Sequence, residues 1–290
     1  MGLELNYHTV NVFTGGRLLG GNQLAVFTDA HKSVGEDEKL MQLLARQLNL
    51  SETVFVFPPT EDGHARLRLF STVTEVPFAG HPILGTAAVL ASLRPAGLRE
   101  ARLETGRGII TVSLDLPLTT HRYLAWMNQP IPEITPFPYG EELLRVLGIE
   151  RSVLPIECYD AGIPHLYVTA ETVEQVEQIV PDFARLGAVA RRCRINVLAG
   201  SGTQYTSRMF SPFDYVPEDP ACGSAAGPLA LHLLRHGRIQ PKQEITISQG
   251  AQVCRPSTLH AAIRGTAADP LLILVGGEAH LIGEGTFRLT

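Results

Sequence analysis

The sequence predicts an α+β protein of two similar halves, each an antiparallel sheet built around one buried helix. Three observations carry this expectation. Short β-branched and aromatic runs alternate with turn signals, two helices are apolar on every side, and a weak internal repeat recurs about 140 residues apart.

Taken in order, the runs "YHTVNVF" (7 to 13), "QLAVF" (23 to 27), "TVFVF" (53 to 57) and, after the turn "PPTEDG", "HARLRLF" (64 to 70) read as antiparallel strands and hairpins. Between the second and third, "SVGEDEKLMQLLARQLNL" opens with a capping box, Ser33 and Glu36. It sets Leu40, Leu43, Leu44 and Leu48 on one face of an amphipathic surface helix. By contrast "PILGTAAVLASL" (82 to 93) and "SAAGPLALHLL" (224 to 234) have no polar face and are expected at the centre of a sheet each.

Those helices belong to the repeat. "FSTVTEVP" (70 to 77) and "FSPFDYVP" (210 to 217) share Phe-Ser and Val-Pro at an offset of 140, and "GHPILGTAAVL" matches "GSAAGPLALHL" with Gly80 on Gly223, an offset of 143. The second copy therefore carries three extra residues, and Asp219 is placed on them. Upstream, "GGNQLAV" (20 to 26) resembles "GIPHLYV" (162 to 168) at an offset of 142. The expected division is a first half at 1–125, a second at 126–277 and a last strand at 278–290, joined through the Pro-rich "MNQPIPEITPFPYG" (127 to 140).

Composition limits the function. Of 290 residues 44% are hydrophobic and 18% charged, enough for a sizeable core. The net charge of -5, from 24 basic and 29 acidic residues, is spread without a basic stripe or charged block, which argues against nucleic acid. No apolar segment approaches the roughly 18 residues of a membrane span. Four cysteines without a C-x-x-C pair, and no secretory leader pattern, suit a reducing, cytoplasmic setting without a disulfide framework.

Two copies of one unit are expected to face each other across a cleft, the default place for a small ligand. In each copy a Gly-Xaa pair, Gly80-His81 and Gly223-Ser224, stands where the chain enters a buried helix. The first helical N–H groups are unpaired donors at the positive end of a dipole, suited to a carboxylate; alternatively, the glycines serve only a tight turn.

The segments "NVFTGGRLLGGNQLAVF", "NLSETVFV", "FAGHPILGTA" and "EDPACGSAAGPLA" together resemble the PhzF-like phenazine-biosynthesis family, within the diaminopimelate epimerase fold superfamily, from about residue 7 to the C-terminus. The resemblance implies two pseudo-symmetric halves, each a curved, mostly antiparallel sheet wrapped around a central helix, with the active site in the cleft between them. It also implies a last strand that returns to the first half and a homodimer. The activity implied is a cofactor-independent, metal-free isomerase that moves a proton and a double bond within a small unsaturated cyclic or amino-acid-derived carboxylate. The family example acts on trans-2,3-dihydro-3-hydroxyanthranilate.

Carried over by motif, the acid/base carboxylate falls on Glu52, with His81 and Asp219 as polar partners and Gly80, Gly223 and Ser224 around the substrate carboxylate. Glu52 opens a strand of Val and Phe, where burial is expected to raise its pKa. The related epimerases use two thiols; here Cys222 stands at the second position and Ala79 at the first, which disfavours a symmetric thiol pair. Cys222 is then either a chemical group activated by the helix end or a packing residue. The remaining readings are a one-thiol epimerase or dehydratase using Cys222, and a non-catalytic small-molecule binding protein.

His232 and His236, four apart on a helix, could share a metal ion, but no third ligand is visible and helix-end histidines more often face solvent. Cys158, Cys193 and Cys254 have no partner pattern and read as structural. "GRG" (106 to 108) lacks dinucleotide-fold context, and no segment fits G-x-S-x-G.

Overall fold

The computed structural model describes residues 3–94, 98–115, 119, 121–213 and 216–289. The chain divides into two compact units, Met1–Asn128 with Gly276–Thr290, and Gln129–Val275. Asp214 and Tyr215, part of the quoted repeat, and Thr290 of the last strand lie outside the described residues.

In the first unit the order is β1 (Leu3–Val12), β2 (Asn22–Phe27), α1 (Ala30–Ser33), α2 (Glu38–Leu48), β3 (Glu52–Phe57), β4 (Ala65–Ser71), β5 (Glu75–Val76), α3 (Gly80–Ser92), β6 (Glu100–Thr105), β7 (Gly108–Leu114) and β8 (Arg122–Gln129). Antiparallel ladders join β1 to β2, β3 to β4 and β6 to β7, whereas β2 and β3 pair in parallel. The parallel pair departs from the expected hairpins because α1 and α2 form a crossover between those strands. Eleven of the 13 residues of α3 are buried. Close approach is part of the reason: a Cβ on Gly85 would lie 2.6 Å from Leu24 Cδ2 and 2.9 Å from Val12 Cγ2.

The surface helix α2 begins later than its sequence suggests. Its N-cap is Asp37, whose side chain accepts from Leu40 N, while Ser33 ends α1 and Glu36 pairs with Arg66 and Arg68. Met41, Leu44 and Ala45 are its buried residues, with Leu40 and Leu48 packed against the same aromatic core of Phe27, Phe55, Phe57 and Phe70. Leu43, expected on that face, is exposed, since at about 100° per residue it lies roughly opposite the buried centre of Met41, Leu44 and Ala45.

The second unit contains β9 (Glu133–Pro136), α4 (Gly140–Leu147), β10 (Glu157–Asp160), β11 (Pro164–Thr169), α5 (Val173–Glu177), α6 (Phe183–Ala190), β12 (Arg194–Ser201), β13 (Gln204–Phe210), β14 (Glu218–Asp219), α7 (Gly223–Arg235), β15 (Glu244–Gln249) and β16 (Ser257–Gly265). The division between the units falls between Asn128 and Gln129, inside the Pro-rich stretch 127–140, of which residues 133–136 form a ladder with β10. The pattern of the first unit recurs, with β11 and β12 parallel and β12 and β13 antiparallel. Eleven of the 13 residues of α7 are buried. The last strand, β17 (Pro270–Leu289), starts in this unit and ends in the first, where it pairs antiparallel with β1 from Ala279 to Leu289.

The strand registers revise the repeat. Phe70 pairs with Glu75 and Phe210 with Glu218, while Val76 and Asp219 hold the next positions. The counterpart of Val76-Pro77 is therefore Asp219-Pro220, not Val216-Pro217. The three additional residues therefore fall in sequence between Phe210 and Glu218 rather than at Asp219. The match of Leu24 to Leu166 also fails. Leu24 faces α3, whereas Leu166 lies in a core with Leu143, Val176 and Leu186 of the outer helices. Alternation along a strand then gives the helix-facing positions of β11 to His165 and Tyr167.

Candidate active site

In the first unit, β2, β3 and the start of α3 bring together Gly80, His81 and Glu52. Glu52 is the first residue of β3 and pairs across the ladders with Leu24 and Ser71. Its Oε2 lies 3.6 Å from Nε2 of the buried His81. That is beyond hydrogen-bond length, and His81 Nε2 has no hydrogen-bond partner among the described residues. On the other side of the ring, Nδ1 lies 3.3 Å from Asn22 Nδ2, and Ser51 Oγ donates to Asn22 Oδ1 at 3.2 Å. Burial pushes His81 down to about 3, so its imidazole is neutral at neutral pH.

In the second unit, α7 begins beside β11, β12 and β14 and gathers Asp219, Cys222, Gly223 and Ser224. Ser224 Oγ lies 3.0 Å from His165 Nε2 and 3.4 Å from Cys222 Sγ, and His165 Nδ1 lies 3.3 Å from Asn196 Nδ2. Asp219 Oδ1 accepts from Ala221 N at 2.8 Å. The half-buried Arg194 places positive charge near His165 and Cys222. Burial, and then the Arg194 charge, hold His165 well below the ordinary histidine range.

Ala79 and Cys222 are the N-cap residues of α3 and α7, and neither makes a side-chain cap bond. The surface helices α2, α5 and α6 are capped by Asp37, Thr172 and Asp182. The two buried helices also lack acidic residues in their first turns. Their leading N–H groups are thus not matched by a capping side chain, the arrangement that favours an anion.

Cys222 does not have the lowered pKa that a helix end can confer. Burial first, and Asp219 second, push it up to about 12, and it packs with Met209 and Ala225. It is a thiol at neutral pH, unsuited to start as a base.

Sequence reasoning passed over Asn22, Ser51, His165, Asn196 and Arg194. Asn22 and Ser51 were inside or beside quoted motifs, but nothing in their spacing signalled that they would meet. His165 was masked by its match to Gln23 in the shifted alignment. His232 is buried rather than solvent-facing, and Glu157 stands beside both His232 and His236. Cys158 and Cys193, expected to be unrelated, have sulfurs 3.9 Å apart.

This architecture defines a class: an α+β protein of the fold found in epimerases and isomerases. A predicted epimerase from Pseudomonas aeruginosa matches it at a TM-score of 0.82 and 27% identity, over 98% of this chain and 99% of that one. The chain belongs to the phenazine biosynthesis-like family, whose pattern matches residues 10–285. The trans-2,3-dihydro-3-hydroxyanthranilate isomerase of Pseudomonas aeruginosa is 42% identical over 92% of this chain and 94% of its own length. The isomerase of the same name from Pseudomonas fluorescens is 40% identical over 98% and 99%. The chain is an isomerase. Among the described residues, no helix is long and apolar enough to cross a membrane.

Proposed function

We propose that this isomerase acts on trans-2,3-dihydro-3-hydroxyanthranilate or a closely similar small unsaturated cyclic carboxylate, with Glu52 as general acid and base. The carboxylate takes a proton from one ring carbon, the electron pair left behind shifts the double bond, and the carboxylic acid so formed, whose proton exchanges with solvent, delivers a proton to another carbon. The product is an isomer, so no electron acceptor is required. The observation that carries this reading is the Glu52–His81 pair: a carboxylate at a strand end beside a buried, neutral imidazole whose Nε2 makes no hydrogen bond among the described residues. Relatives at 40% and 42% identity are named for that substrate.

His81 orients the substrate's polar group and Glu52. In the second unit, Gly223, Ser224 and the first N–H groups of α7 suit a carboxylate, with Asp219 as a hydrogen-bonding partner; Gly80 offers the corresponding backbone in the first. The raised pKa of Cys222 weighs against the thiol mechanism. A cytoplasmic homodimer is the proposed state, which light scattering and fractionation would check.

Incubation with the named substrate in D₂O tests the chemistry. Deuterium should enter the product, and Glu52→Gln should lower turnover by roughly 10² to 10⁴ while substrate binding persists. Exchange that survives Glu52→Gln but disappears in Cys222→Ala would sink the carboxylate mechanism.

A further inference from the structure

At the other end of α7, about 12 Å along the helix from Ser224, three metal-ligand side chains converge outside the site just described. Glu157 Oε2 lies 2.9 Å from His236 Nε2 and 3.4 Å from His232 Nδ1, and one donor atom from each residue lies within 4.8 Å of the others. Donors about 2.0–2.1 Å from a tetrahedral zinc ion are themselves roughly 3.3 Å apart. The observed spacing is therefore close to a three-ligand zinc site before any metal binds.

Neighbouring side chains fix the orientation of the carboxylate. Arg235 stands 3.4 Å from Oε1, the other carboxylate oxygen, which leaves Oε2 turned toward the two histidines. Tyr159 hydroxyl lies 2.9 Å from Oε2 and 3.0 Å from His232 Nδ1, on the same side as the prospective ion. The partly exposed edges of His236 and Glu157 give access from solvent.

We propose that Glu157, His232 and His236 bind a divalent cation of the zinc class. The ion joins β10 to the last turn of α7 as a staple, with water or Tyr159 completing its coordination. The histidines at i and i+4 share a helix face, and the strand contributes the third ligand across the sheet.

Titration of the metal-free full-length protein with CoCl₂ and ZnCl₂, followed by visible absorption and calorimetry, tests the assignment. One equivalent of cobalt should give a tetrahedral spectrum without a thiolate charge-transfer band. His236→Ala and Glu157→Gln should each weaken binding by about 100-fold or more, beyond the loss expected for an outer contact. A Cys158→Ser/Cys193→Ser variant should bind normally. Zinc at about 100 times Kd should raise the unfolding midpoint of the parent by several degrees and leave that of His236→Ala unchanged. Absence of saturable binding, binding unaltered in both ligand variants, or binding lost with the two thiols would each overturn the proposal.

Discussion

His81 is neutral at physiological pH because its ring is enclosed, and the same enclosure makes the fold sensitive to acid. Its folded pKa of about 3 lies below the unfolded value near 6.5, as does that of His232 at about 4 and, in direction, that of His165. Between those values the unfolded chain binds more protons, so stability is complete above about pH 6.5 and falls as pH decreases toward 3. Urea midpoints measured from pH 7 to pH 4 should decline, and His81→Gln should flatten the slope. A slope unchanged by that substitution would show that the ring is not the titrating group. The same residue scale shows the limit of motif reading. Glu52 and His81 were legible as types in segments, but the distance between them and the contact of His81 with Asn22, 59 residues away, depend on two strands and a helix meeting.

Two repeated elements carry the same polar lock in different depths of burial. Arg68 pairs with Glu75 and lies over Phe70; Arg208 pairs with Glu218 and lies over Phe210. Arg208 is the deeper one, with side-chain exposure of 4% against 13%, and it also donates to the carbonyls of Val176, Glu177 and Ile179. Arg208→Ala strands a buried carboxylate and three carbonyls and should cost about 3–5 kcal/mol. Arg68→Ala should cost closer to 1 kcal/mol; denaturant titration of both variants compares them, and equal losses would contradict the burial argument. Gly85→Ala should destabilise by about 1–3 kcal/mol, because the added methyl meets Leu24 and Val12.

At the scale of the molecule, the first unit is discontinuous in sequence. Its β1 ladder and aromatic core take in Phe287 and Leu289 from the last strand. Truncation after Val275 should therefore leave β1 without that partner and abolish the cooperative unfolding of the first unit, read by calorimetry and near-UV circular dichroism. A truncated chain with an unchanged thermal transition would show that β17 is dispensable.

The sequence by itself determined the α+β class, the two fully apolar helices, the repeated helix entrances and the family, because periodicity and short motifs are local. It misplaced the α2 cap, the strand register of the repeat and the three-residue insertion, because a shift of one position along a strand changes the face a side chain occupies. Only the tertiary structure decided that His165 rather than Leu166 faces α7, that Cys222 is a buried thiol, and that Glu157 meets His232 and His236. Each of those depends on burial and on contacts between distant segments, which no linear pattern contains.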